Sequence, residues 1–114
     1  MDLSTTIYAT TNTFPKEGMF GLTNQLRRAS VSVASNIAEG QGRLTSGEFM
    51  HFLGMARGSA LEVQTQLELA QRLDLGVPSE LEAAQKQAIE LVRILNSVLS
   101  NLRNRPARNR AAPN

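Results

Sequence analysis

Cysteine and tryptophan are absent from this 114-residue chain, aromatics make up only 4% of it, and histidine occurs once. Without cysteine there can be no disulfide and no thiolate metal site, which fits a reducing cytosol. With so few aromatics, any core must rest on Leu, Val, Ile, Ala and Met. Strands favour aromatic and β-branched residues, so this lean aliphatic composition suits helices better than a sandwich. A single His leaves no second imidazole for a metal site or a proton relay. No apolar run approaches the ~20 residues that a membrane span needs. The first 13 residues carry Asp2 and five threonines, with neither a basic start nor an apolar stretch, so no secretory signal is visible. The expectation is a soluble, cytoplasmic, single-domain protein.

Excess charge is also scarce where it would matter most. The net charge of +2 conceals an asymmetry: Arg103, Arg105, Arg108 and Arg110 sit in the last twelve positions, which hold no acid. The preceding 102 residues carry eight basic and ten acidic side chains. The high pI therefore belongs to the tail and says little about the folded surface.

What the chain does have is helical periodicity. A short first helix is expected from Asp2 to about Asn12, ended by Phe14-Pro15, because the residue before proline is pushed out of the α region. Leu22, Leu26, Ala29, Val33 and Ile37 form the apolar stripe of a second helix to Glu39, with Gly40 as a left-handed C-cap. Thr45-Ser46-Gly47-Glu48 has the form of a capping box. Behind it Phe49, Phe52, Ala56, Val63, Leu67 and Ala70 continue to Leu75, where Gly76 and Pro78 close the third helix. Ser79 to Glu82 reads as a second capping box. It opens a fourth helix whose seam is Leu81, Ala84, Ala88, Leu91, Leu95, Val98 and Leu102. From Asn104 onward two prolines and three arginines replace any apolar period, which predicts a disordered basic tail over 104–114. The expected architecture is all-α: an antiparallel up-down four-helix bundle over 1–103 with a short first helix.

At 1.5 Å per residue the third and fourth helices should span roughly 45 and 37 Å, the second about 27 Å and the first under ~20 Å. Two long helices cannot be covered along their length by two short ones. The uncovered apolar surface predicts a homo-oligomer.

Few constellations could carry chemistry. Glu48-x-x-His51 has the spacing of a di-iron bundle ligand pair, but such sites need two of these motifs and two more glutamates. Asn36, Glu39, Arg43 and Glu62 could meet as a polar cluster that pins helix register. No Ser-His-acid set, cysteine nucleophile or glycine-rich phosphate loop is present, so neither an enzyme nor a cofactor is expected. Gly54-x-x-x-Gly58 predicts close helix packing within the bundle. Arg27, Arg28, Arg43 and Arg57 give the middle of the chain a basic bias, and residues 16–57 hold five basic and three acidic side chains. The plain reading is a solvated face with arginines paired to Glu39 or Glu48. The sharper one is a nucleic-acid surface that works through backbone contact, since aromatics for stacking are lacking.

The run FPKEGMFGLTNQLRRASVSVASNIAEGQGR (14–43), followed by EFMHFLGMARGSALEVQTQLELA (48–70), resembles the four-helix bundle proteins of the 23S rRNA intervening-sequence family. The combination of FP, GLT-Q-RRA-S, NIAEG-GR and EF-FL-A-GS carries the resemblance, from about Leu3 to Leu75; the last helix matches by pattern alone. Against that family's pattern the chain begins about a dozen residues inside the usual first helix. The resemblance implies an antiparallel bundle assembling as a homopentamer with a central channel, and genes lying within rRNA intervening sequences. It also implies kinship with the accessory protein of diversity-generating retroelements, which binds nucleic acid and reverse transcriptase. Arg27, Arg28, Asn36, Glu39 and Arg43 occupy matched motif positions, without roles attached. No settled biochemical activity comes with the family.

Together these readings predict a non-enzymatic oligomeric scaffold without membrane or small-molecule partners. It would touch nucleic acid, or a nucleic-acid protein, through Arg27, Arg28, Arg43, Arg103, Arg105, Arg108 and Arg110. The alternative is a purely structural protein–protein interaction module.

Overall fold

Helix formation follows the apolar stripes. The computed structural model describes residues 2–16 and 21–104. It contains α1 (Asp2–Thr11), α2 (Leu22–Gln41), α3 (Ser46–Arg72) and α4 (Pro78–Arg103), with no strand among the described residues. Apart from Asn104, the tail expected to be disordered lies outside the described residues.

Hydrogen bonds between helices fix an antiparallel, up-down order. Ser4 Oγ donates to the Ser30 carbonyl (3.0 Å), while Arg27 Nε donates to Thr11 Oγ1 (2.9 Å), so α1 descends as α2 rises. The Ser32 and Ser59 hydroxyls meet at 2.9 Å across α2 and α3. Arg57 Nη1 donates to Asn96 Oδ1 (3.0 Å) and Gln85 Nε2 to the Gln64 carbonyl (3.1 Å), which sets the register of α3 against α4. α3 lies between α2 and α4, and α1 packs on α2 and α4. The rod measures 52 × 21 × 19 Å.

The core runs along the rod axis. Leu3, Ile7, Leu26, Val33, Ala56, Ala60, Val63, Leu67, Ala84 and Ala88 are all but fully buried. Burying each of the larger aliphatic side chains among them contributes about 1.5–3 kcal/mol. The expected stripes are largely the observed ones, with small rotations. Ile37, Phe49, Phe52, Leu91 and Val98 are half-buried, whereas Leu53, Ala60 and Leu99 are buried.

Four local expectations are corrected. Gly40 is not a left-handed cap: α2 runs on to Gln41, and Gly42 ends it at φ −89°. A Cβ on Gly40 would lie 3.1 Å from the Phe52 Cβ and 3.2 Å from Phe49 Cδ1, so the glycine serves close approach of α3. α3 gives way to a turn after Arg72, short of Leu75. Ser79 is not the cap of α4, which begins one residue earlier with Pro78 at its first position and Val77 before it. Proline's fixed φ already suits the first helical turn, and its missing N–H is one that needed no partner there. Finally, Gly54 and Gly58 do not serve packing within the chain, because a Cβ at either would meet nothing within 4 Å. Thr45, by contrast, caps α3 as expected, its hydroxyl accepting from the Glu48 N–H (3.1 Å).

The long helices also carry apolar side chains on faces turned outward. Met55, Leu61 and Leu69 on α3, Ile89 and Ile94 on α4, and Val31 on α2 are each 43–49% exposed. Those on α3 and α4 lie on the two helices where the lengths predicted uncovered apolar surface; Val31 on α2 was not part of that expectation.

Candidate nucleic-acid interface

The arginines expected to bind nucleic acid fall into separate environments. Arg27 is an internal clamp. Its Nε binds Thr11, whose hydroxyl in turn donates to the Ile7 carbonyl (2.7 Å), and its guanidinium lies 4.6 Å from the Tyr8 ring centre. Both contacts tie α1 to α2. Arg28, one residue on, faces away from α1 and is exposed. It lines a groove between α2 and α3 with Gln25, Ser32, Glu62 and Gln66. Arg43 pairs with Glu39 (2.6 Å) one turn earlier, and its guanidinium sits 4.5 Å from the Phe52 ring centre. Arg27 and Arg28 stand fifteen and more residues from Arg43, about 22 Å along the rod. The structure does not bring the three together. Arg103 ends α4, and Arg105, Arg108 and Arg110 lie outside the described residues.

The polar cluster expected from Asn36, Glu39, Arg43 and Glu62 separates into parts. The Asn36 side chain donates to the Ser32 carbonyl (2.9 Å) and hydroxyl (3.1 Å), feeding the Ser32–Ser59 bridge. Glu39 and Arg43 form their own pair, and Glu62 is exposed on the Arg28 groove. Glu48 and His51 are both exposed, with the imidazole edge-on to Phe52 at 5.4 Å. Among the described residues no three His, Cys, Asp or Glu side chains gather as metal ligands. Among the described residues no helix is long and apolar enough to cross a membrane.

A second basic locus lies where α3 begins and α4 ends. Gly47, Met50, His51, Gly54, Arg57, Leu99 and Arg103 line a groove of about 330 Å³, with no Asp or Glu among these described lining residues. Here the helical spacing of charges discriminates. Arg43, Arg72 and Arg93 each hold a glutamate one turn earlier: Glu39, Glu68 and Glu90. The Arg93 hydrogen bonds hold the Glu90 carboxyl below its ordinary range. Arg57 has no such partner. Its neighbours at three and four residues are Leu53, Gly54, Ala60 and Leu61, and it donates to the neutral Asn96 amide. Its Nε is shut off from solvent without an acceptor. In the sequence alone Arg57 stands out only as part of a basic bias. The missing i ± 3 and i ± 4 acids were the signal that could have singled it out.

Comparison with known proteins supports this architecture. No curated protein matches the chain. A crystal structure of a protein of unknown function from the S23 ribosomal protein family of Bacteroides thetaiotaomicron is similar in fold, with a TM-score of 0.76 at 20% identity over 86% of this chain and 88% of that one. The profile of the family described as 23S rRNA-intervening sequence protein matches residues 1–97. By that match, and by the four-helix fold that accompanies it, this chain belongs to the 23S rRNA-intervening sequence protein family.

Proposed function

We propose that this protein is a non-enzymatic helical scaffold in the cytoplasm that assembles with copies of itself and contacts nucleic acid, or a nucleic-acid protein, through surface arginines. One observation carries the assembly: apolar side chains stand exposed on α3 and α4 at matching heights. The Arg57–Asn96 and Gln85–Gln64 bonds place Leu61 and Ile89 at the same level of the rod, and each is 44–49% exposed. Neighbouring apolar groups of this kind on the two longest helices favour burial against a further surface. A homopentamer, the assembly implied by the sequence resemblance, is the form proposed.

Light scattering on the purified chain tests this. The expected mass is five times 12.4 kDa, and Leu61→Glu with Ile89→Glu should yield a folded monomer. A wild-type chain that stays monomeric throughout would overturn it.

A second reading has its own support. With Arg43, Arg72 and Arg93 paired to glutamates and the first 102 residues holding more acids than bases, the folded part offers a polyanion little net positive charge. A pure protein–protein module would capture its partner undiminished after nuclease treatment and in high salt, where phosphate contacts are screened out.

A further inference from the structure

We propose that the α2/α3 face of each copy receives the α3/α4 face of the next, seating Leu61 and Ile89 between the neighbour's Met55 and Leu69. This rests on the self-assembly proposed above and names the surface that answers its apolar patch. A ring of five cannot use one face twice: each copy offers one surface and receives on another. Leu61 lies on the α3 stripe of Arg57 and Gln64, whose hydrogen bonds cross to α4. Glu62 lies on the other side, lining the groove between α2 and α3 with Arg28. Consecutive residues of a helix point about 100° apart, close to the corner angle of a regular five-sided ring. Both faces are thus centred at one height of the rod. Equal height closes a head-to-tail contact, where an offset would wind it into a filament.

The receiving face is apolar above and below a charged centre. Met55 and Leu69, both half-exposed, stand seven residues either side of Glu62 and so on its stripe. At the centre Arg28 has Asn24, Gln25, Val31 and Ser32 at three and four residues, and Glu62 has Gly58, Ser59, Thr65 and Gln66. Neither finds an opposite charge there, and among the described residues neither makes an ion pair. The offered face carries the complementary charges. Glu82 is exposed on the α4 stripe of Gln85 and Ile89 and makes no ion pair among the described residues. Arg57 donates to the neutral Asn96 amide, so its charge is oriented without being compensated. Because α3 belongs to both faces, docking sets α4 of one copy on α2 of the next and α3 on α3. Glu82 then meets the neighbour's Arg28, and Arg57 meets the neighbour's Glu62. Gly58 lies one turn before Leu61 and Glu62, between the two stripes. A Cβ there would meet nothing within 4 Å in its own chain, and the bare backbone lets the neighbour's α3 come close.

The test mixes two variants in light scattering. Leu61→Glu with Ile89→Glu removes the offered face, and Met55→Glu with Leu69→Glu removes the receiving one. All four positions are half-exposed, so both variants should keep the bundle, which circular dichroism checks. Each alone should be monomeric. Mixed in equal amounts they should give one dimer of twice 12.4 kDa, because a single intact pair of faces remains. Arg28→Glu should weaken wild-type assembly about tenfold, and adding Glu82→Arg to the same chain should restore it. If the wild type assembles and Met55→Glu with Leu69→Glu assembles equally well, the receiving face is wrong while self-assembly survives. If both variants are monomeric and their mixture stays so, the contact is not head-to-tail between these faces. If Glu82→Arg restores nothing, the pairing of α4 with α2 is overturned. A wild type that never associates removes this inference and the assembly reading together.

Discussion

Single glycines do opposite jobs here, and only surroundings distinguish them. Gly76, in the turn between α3 and α4, has φ +67°, and a Cβ there would lie 2.7 Å from Phe14 Cε1. Phe14 is itself buried, so it has little room to retreat. Left-handed strain and the clash add, and Gly76→Ala should cost about 2–4 kcal/mol in urea unfolding. Gly54 is helical with open space about it, so Gly54→Ala should gain about 0.5–1 kcal/mol from helix propensity alone. Loss of stability at Gly54, or none at Gly76, would show that the packing around these glycines is not as described. Arg27 makes the same point about charge. Its doublet with Arg28 looked like one basic unit, yet the helix turns the two residues to different sides. One clasps Thr11 and Tyr8, and the other faces Glu62 across a groove.

At the scale of elements, helix ends separate sound inference from unsound. Thr45 accepts the Glu48 amide, so Thr45→Ala should destabilise α3 by about 1 kcal/mol. Ser79 offers the same motif but lies inside α4 behind Pro78, so Ser79→Ala should stay within about 0.5 kcal/mol. Equal losses in chemical denaturation would restore Ser79 as a cap. The α1 attachment yields a further expectation: Arg27→Ala should speed amide exchange in Asp2–Thr11 while leaving α3 and α4 protected. The four helices, their antiparallel order and most of the core were legible because apolar spacing of three and four has one economical folding solution. Gly40 was misread because a glycine after an apolar stripe looks like a cap, and only the positions of Phe49 and Phe52 reveal a close crossing. The groove at Arg57 was not legible as a site. Its lining comes from residues 47–57 and 99–103, and no local pattern announces that the two segments meet.

For the whole molecule the decisive issue is whether a rod 52 Å long and about 20 Å thick is complete alone. α1 bonds to α2 at Ser30, yet α2 continues to Gln41, and the exposed apolar groups lie on all three longer helices. If copies assemble through those groups, folding and association are linked, and mass action makes apparent stability depend on protein concentration. Thermal unfolding followed by circular dichroism should then show Tm rising by several degrees between about 1 and 100 μM. Because the proposed contact is apolar, the rise should persist in about 1 M salt, where surface ion pairs such as Glu90–Arg93 are screened. Leu61→Glu with Ile89→Glu should remove the concentration dependence and bring Tm to the dilute wild-type value, since in a monomer both positions only exchange one half-exposed side chain for another. A wild-type Tm that is flat across that range would mean that the outward faces of α3 and α4 stay wet, and the scaffold reading would then lose its structural basis.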